Sequence, residues 1–298
     1  MAYLLQQLAN AVPISALYAA LAFGYALAFG MTRRPDITYG ALFAFAGQVF
    51  LLFAHIGWNR LFLILPAALA LAAAASFLYT TVAGWSIARH VLRPLHGASA
   101  NAVIVASLAL VILLSEIMRL SMNSRELWLS PFLNVRVIFW QGEGGDVGLT
   151  VIQIGSVVLM AGVVTLGHLL LARTRLGRDW RAVADDPRAA RLCGVNADGV
   201  FILSYVAAAS IAAICGILAT SYYGSMDFAS GLLFGLKVVL IAAVGGYSVP
   251  LKSAAGAAVV GLSETLWSGY APILWRDAAI ISALVLLLVA SRRERVIP

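Results

Sequence analysis

Charge is what this sequence has least of. Of 298 residues only 11% are charged, against 62% hydrophobic, and the mean hydropathy is +0.94. A soluble domain of this size must show more polar surface to water than that composition provides, so lipid is the solvent for most of the chain. Cysteine is nearly absent too. Cys193 falls in a basic stretch and Cys215 in an apolar run, which sets aside a disulfide framework, and neither stands at a metal-ligand spacing from a histidine. No HExxH, GxSxG or Walker A glycine loop occurs, so the convergent groups of a membrane-embedded enzyme are missing and any ATP hydrolysis falls to a partner. The opening MAYLLQQLAN has no Lys or Arg. It therefore lacks the basic region of a cleavable signal peptide, and the first span is expected to stay in the mature protein. No internal repeat, low-complexity tract or soluble domain interrupts the pattern, and residues 1–298 read as one transmembrane domain.

What is present is a succession of apolar runs. A spanning helix needs roughly 20 predominantly apolar residues, and charged punctuation divides the chain into segments near 11–31, 37–55, 61–88, 99–118, 148–171, 198–222, 232–247, 253–270 and 278–291. The fold class this predicts is an all-α polytopic bundle of about nine segments. The run at 232–247 is short and ends in Gly245-Gly246 with Pro250 close behind, the pattern of a half-helix or broken span. Its neighbour carries Gly256 and Gly261, and close packing through small residues explains these glycines as well. The formal charge of +7 invites a nucleic-acid partner, but the basic residues sit in short loops and not on one amphipathic face. Membrane orientation accounts for them better. Alternate loops on one side hold Arg33, Arg34, Arg89, Arg93, Arg173, Arg175, Arg178, Arg181, Arg188, Arg191, Lys252, Arg292, Arg293 and Arg295; those on the other hold Arg60, Arg119, Arg125, Arg136 and Arg276. The richer set belongs in the cytoplasm, which predicts an external N-terminus and an internal C-terminus. The outer loop 119–147 carries Trp128, Pro131, Trp140 and the turn-rich QGEGGD at 141–146, and its tryptophans suit a membrane interface.

The most informative polar stretch is RTRLGRDWRAVADDPRAARLCGVNADG at 173–199. Asp186 can cap a helix, Pro187 fits its first position, Arg188 and Arg191 follow, and Gly194 suits the residue beyond its end, which predicts a compact helix at 187–193. Asn196 or Asp198 can cap the next span. Two readings stand side by side: a stiff element that receives a push from a motor protein, or a surface helix whose arginines meet anionic lipid headgroups.

These residues resemble the permease subunits of bacterial branched-chain amino-acid ABC importers, the LivH-like inner-membrane translocators. The resemblance rests on TRLGRDWRAVADDPRAARLCGVNADGV at 174–200, the span ending in YYGSMDF, GLLFGLKVVLIAAVGG at 231–246, ISALYAALAFGYALAFG at 14–30 and VLRPLHG at 91–97. It implies that the Asp-Pro helix is the coupling segment, with Trp180, Asp185, Asp186, Pro187, Arg188, Arg191 and Gly194 facing a cytoplasmic ATPase. It also implies a second permease or self-copy, two ATPase subunits that carry ATP and Mg, and a periplasmic binding protein; no cofactor is expected on this chain. Two family patterns are altered. An Asn-Phe-Ala-His-Gly opening is here Asp36-Ile37-Thr38-Tyr39-Gly40, and a Gly-Gly-x-Gly-Ser-x-Pro-Gly loop is here Gly245-Gly246-Tyr247-Ser248-Val249-Pro250-Leu251-Lys252. The leading solute is a branched-chain amino acid, with urea, short amides and small aromatic or other acids as the family's other cargo.

A charge at mid-bilayer costs on the order of 3 kcal/mol, so it faces a partner or water. Lys237 and Glu264 are the two candidates, and with Tyr39, Gly40, Gly245 and Gly246 they make up the expected translocation path. The structural alternative is that they neutralise each other. Glu116 and Arg119 stand at a helical ion-pair spacing. His55 and His168 occur singly near span ends, as packing or interface residues do. Two other functions compete: a secondary carrier, with Lys237 or Glu264 as its ion-coupling element, and a membrane-embedded enzyme, which lacks a motif.

Overall fold

The computed structural model describes residues 2–142, 145–247 and 249–291; Glu143 and Gly144 of the turn-rich stretch, Ser248 and the terminal Arg292, Arg293 and Arg295 lie outside the described residues. In lipid the backbone has no partner but itself, so apolar runs of this kind close into helices. Every one of the nine segments does so. They are α1 (Ala2–Thr32), α2 (Thr38–Asn59), α3 (Leu65–Ile87), α4 (Ala100–Ser121), α5 (Val151–Arg173), α8 (Ala197–Tyr223), α9 (Ser230–Gly245), α10 (Pro250–Tyr270) and α11 (Arg276–Ser291). Two shorter helices, α6 (Arg175–Asp185) and α7 (Pro187–Leu192), lie between α5 and α8. Local chemistry sets the ends. Thr150 and Gln153 form a reciprocal capping box at α5, Ser99 caps α4, Pro250 opens α10, and Gly224 ends α8 in the left-handed conformation at φ +77°.

Among the described residues, α1, α2, α3 with its π-turn to Leu92, α4, α5 and α8 are each long and apolar enough to cross a membrane. Helices α9 and α10 qualify only as a pair bent by 112°, and α11 has 16 residues. By length and composition the count is six, or seven with the pair, and not nine. The all-α expectation also meets an exception. The outer loop closes as an antiparallel hairpin of β1 (Arg136–Gly142) and β2 (Gly145–Thr150), in register from Arg136 opposite Thr150 to Gly142 opposite Gly145, with an irregularity between Ile138 and Trp140.

Helices α1, α2 and α8 form the centre. The apolar window of α2 is 72% buried and that of α5 only 11%, although both are apolar all round. Val158, Leu166, Ile112 and Leu113 point outward from α5 and α4 with nothing over them. Apolar faces left open on long apolar helices are what lipid solvates. The protein is an integral, polytopic, helical membrane protein.

Side-chain bonds define the two ends of the bundle. Gln6, near the start of α1, accepts from the Gly148 amide at 3.0 Å and donates to the Gly148 carbonyl at 3.1 Å, so the hairpin lies on the N-terminal face. Four crossings, α1 to α4, return the chain to that face. At the opposite end Arg33, just past α1, bonds to the end of α6, and Arg93, past α3, bonds to Asp198 at the start of α8. The bent pair begins and ends on the N-terminal face: Leu129 of the outer loop donates to Gly224, and Tyr3 donates to the Gly269 carbonyl. Its elbow reaches far into the bundle, where Tyr247 stacks on Phe29 at 4.1 Å. The two limbs therefore go in and come back, instead of continuing as one kinked span.

The close approach of α2 and α9 depends on Gly40, where a Cβ would meet the backbone of Gly235. Gly40→Leu should destabilise the protein by about 1–3 kcal/mol through overpacking. Gly162→Leu, on the open side of α5, should not. Thermal unfolding of the detergent-purified protein, followed by tryptophan fluorescence, checks both; equal midpoints would mean that α2 and α9 do not need this contact.

Candidate functional site

Two groups of residues stand out, one at the face opposite the N-terminus and one inside the bundle. At that face Thr174 ends α5 and starts α6: its hydroxyl donates to the Leu170 carbonyl at 2.6 Å and accepts from the Gly177 amide. Helix α6 is strongly amphipathic and buries Gly177, Trp180 and Val183. The Trp180 indole donates to the Leu27 carbonyl at 3.3 Å and covers Gly30, anchoring α6 to α1. Arg33, held in the left-handed region at φ 51°, donates to the carbonyls of Ala184 and Asp185 and so satisfies the end of α6. Asp185 contributes this carbonyl while its side chain is exposed.

Helix α7 follows at once. The Asp186 carboxylate accepts from the Arg188 and Ala189 amides at 2.8 and 3.2 Å, and Pro187 occupies the first position. Those amides hold the Asp186 carboxyl below its usual range, Ala189 more than Arg188. A lowered pKa means that the charged cap favours α7 above the ordinary carboxyl pKa and that this support is lost as pH falls through the lowered value. The expected helix 187–193 is thus found as Pro187–Leu192, with Gly194 at φ +84° beyond it. Asn196 caps α8 through the Gly199 amide at 3.0 Å. Asp198 instead bridges Arg93 and Arg191, each at 2.8 Å. Outward, α7 shows Arg188 and Leu192, the latter 90% exposed.

Within the bundle, Lys237 of α9 and Glu264 of α10 meet at 2.7 Å, both nearly enclosed. Glu264 also accepts from Tyr18 of α1 at 2.7 Å, and Arg276 lies 3.6 Å away. Lys237 sits 5.3 Å above the Tyr18 ring and 3.6 Å from Asp277. Two lone charges here would each be costly; together, with Tyr18 and the start of α11, they neutralise one another. The other path candidates are not drawn into this network. Gly40 packs on Gly235, and Gly245 packs against the Lys252 and Ser253 backbone, so both serve close helix approach. Gly246, at φ +81°, takes the conformation that the elbow needs. Tyr39 is buried on α2, in edge contact with Tyr25 at 5.8 Å.

Sequence reasoning missed a second buried carboxyl. Asp36 is 3% exposed and accepts from the Thr38 amide at 2.9 Å and the Tyr205 hydroxyl at 2.8 Å. Burial pushes its carboxyl up, against the pull of those hydrogen bonds. The signal available was its position immediately before an apolar run. Tyr18, Arg33, Arg93, Asp198 and Arg276 were also missed in these roles, because each partner is distant in sequence. The cysteines are free, Cys193 exposed and Cys215 buried. Glu116 and Arg119 do pair, at 2.6 Å.

Residues 7–290 match the family described as the branched-chain amino acid transport system permease component. The high-affinity branched-chain amino acid transport system permease protein LivH of Salmonella typhimurium is 27% identical over 291 residues, covering 96% of this chain and 93% of that protein. BraD of Pseudomonas aeruginosa, which carries the same description, is 27% identical over 95% of this chain and 92% of its own. The ribose import permease protein RbsC of Escherichia coli is 26% identical over 83% and 71%.

If the Lys237–Glu264 pair is a neutralising contact, removing one member should cost more than removing both. Glu264→Gln should destabilise by about 3 kcal/mol, the scale of a broken buried pair. The double change Lys237→Met with Glu264→Met should recover part of that loss. A double-mutant cycle on thermal stability reads the coupling; strictly additive effects would dissolve the pair as an energetic unit.

Proposed function

The chain belongs to the branched-chain amino acid transport system permease family, and on that premise we propose that it is the membrane permease of an ATP-binding-cassette importer in the bacterial inner membrane. Residues 1–298 act as one transmembrane domain. The solute is a branched-chain or related amino acid delivered by a periplasmic binding protein, in keeping with the named cargo of the LivH and BraD relatives. Two cytoplasmic ATPase subunits bind the ATP and Mg, and a second permease or a copy of this chain completes the pore.

The observation that carries the coupling role is α7. It is a short helix held at both ends: capped by Asp186, started by Pro187, tied through Arg191 to Asp198 and abutting α6, whose end Arg33 holds. A motor's motion passes only through a stiff element. The outward Arg188 and the bare Leu192 offer charge and apolar surface to a docking groove. The α6–α7 segment lies in the cytoplasm, as its arginines favour, and the hairpin and N-terminus lie in the periplasm. Five long helices separate these two ends, which supports that reading whatever path α9 to α11 take. An ion-coupled carrier finds less support, since its candidate charges already satisfy each other.

Topology is checked by labelling an Arg188→Cys variant, made in a background lacking Cys193 and Cys215, from each side of the membrane. Reaction from the cytoplasmic side only is expected; periplasmic reaction would reverse the orientation. Coupling is checked with Arg188→Glu, which should insert normally yet lose roughly tenfold in ATPase co-purification and in ATP-dependent uptake, as one reversed docking charge does on the ~1.4 kcal/mol scale. Wild-type levels of both would remove α7 from the interface.

A further inference from the structure

Beneath α7 the structure leaves a crevice of about 140 Å³ between the short helix, the end of α1 and the start of α8. Its walls divide by chemistry. Met31, Val183, Pro187, Ala197 and Phe201 form an apolar pocket, while Arg93, Arg191 and Asp198 stand around it. Those three side chains are 41–57% exposed, so solvent reaches them.

The charged groups are joined but not used up. Arg93 and Arg191 each give one Nη2 to a different oxygen of Asp198, at 2.8 Å. A guanidinium carries five N–H donors and a carboxylate about four acceptor sites. These bonds leave about four N–H donors on each guanidinium and about two acceptor sites on the carboxylate. Two guanidiniums flanking one carboxylate can hold an incoming carboxylate, and the same Asp198 can hold an ammonium. Charge thus calls for a zwitterion and the lining for an apolar substituent. A cavity of about 150 Å³ holds a benzene-sized molecule, which is the scale of a four-carbon aliphatic side chain and too small for paired lipid acyl chains.

We propose that this crevice is a binding site for a free α-amino acid with an aliphatic side chain of valine or leucine size. The carboxylate is held by Arg93 and Arg191, the ammonium by Asp198, and the side chain by Val183, Ala197 and Phe201. The identity of the ligand as released cargo, arriving from the cytoplasm, rests on the function and topology proposed above. The binding itself does not. A ligand lodged there sits between α7 and the helices that α7 would drive, so it couples the amount of internal amino acid to the freedom of that element.

The test is calorimetric titration of the full chain in phosphatidylcholine nanodiscs with L-leucine, leucinamide, which lacks the carboxylate, and 4-methylpentanoate, which lacks the ammonium. Saturable L-leucine binding is expected, at least tenfold weaker for both analogues. Arg191→Met and Asp198→Asn, at exposed side chains whose loss leaves the fold intact by circular dichroism, should each weaken leucine binding at least tenfold. No leucine binding, equal binding of leucinamide, or undiminished binding in the two variants would overturn the site. Repeating the titration in phosphatidylethanolamine nanodiscs separates a lipid occupant: loss of leucine binding there would assign the crevice to headgroups and also overturn it. Failure of ATP-dependent uptake with binding intact counts against the transport reading alone, and uptake without binding against this site alone.

Discussion

A polar group carried into hydrocarbon has to find its partner inside the protein, and the polar contacts that tie the elements of this bundle together are consequences of that constraint. Glu264 is the clearest case. Enclosed between α1, α9 and α10, it draws in Tyr18 and Lys237 at 2.7 Å each, and with Arg276 it brings the start of α11 to the same point. Asp36 does the same at the other end of α1, through Thr38 and Tyr205. Hydroxyls follow the rule on a smaller scale: Ser76 donates to the Ala46 carbonyl at 2.6 Å, and Ser253 to the Ala242 carbonyl at 3.0 Å. Apart from the local Thr38 amide bond, these contacts tie together elements that apolar contact alone would let slide, because lipid tails are as good a solvent for leucine as another helix is.

The same constraint gives the two ends of the molecule different characters. On the N-terminal face the ties run through neutral side chains of α1, from Gln6 to the hairpin, where it accepts from the Gly148 amide and from Arg136, and from Tyr3 to the end of α10. On the opposite face they are made by arginines, Arg33 to the last carbonyls of α6 and Arg93 and Arg191 to Asp198. Exposed ion pairs of this sort add little stability, typically up to about 1 kcal/mol. Their effect is geometric. Together with Trp180, buried against α1, they fix the α6–α7 segment relative to three long helices, so a force applied at α7 has a short path into the membrane.

The apolar segments and the caps of α7 were legible because both are local properties. Asp186, Pro187 and Gly194 act within one helical turn of the positions they define, and an apolar run of span length has few other places to go. Helix α6 escaped notice because its arginines hid the spacing of Gly177, Trp180 and Val183, which becomes an amphipathic face only when α1 is there to cover it. The hairpin at 136–150 was read as loop, since a two-stranded ribbon is held in part by its register against Gln6, a residue more than a hundred positions away. The glycine-rich run at 232–247 was recognised as abnormal, but whether it broke, crossed or returned depended on which face held its two ends.

The sequence by itself determined the solvent, the helical class, the approximate positions of the segments and the short capped helix, because composition, length and capping act over a few residues. It also carried enough of a family's pattern to name the kind of transporter expected. The sequence already offered Lys237 and Glu264 as a neutralising pair; tertiary structure alone decided that Tyr18 joins them, that Arg33 closes α6, and that Asp198 joins Arg93 to Arg191 over an apolar crevice. Those pairings link residues 7 to 246 positions apart, and nothing in local spacing selects one distant partner over another. Only the packing of the helices, with every enclosed charge obliged to find its complement, makes the choice.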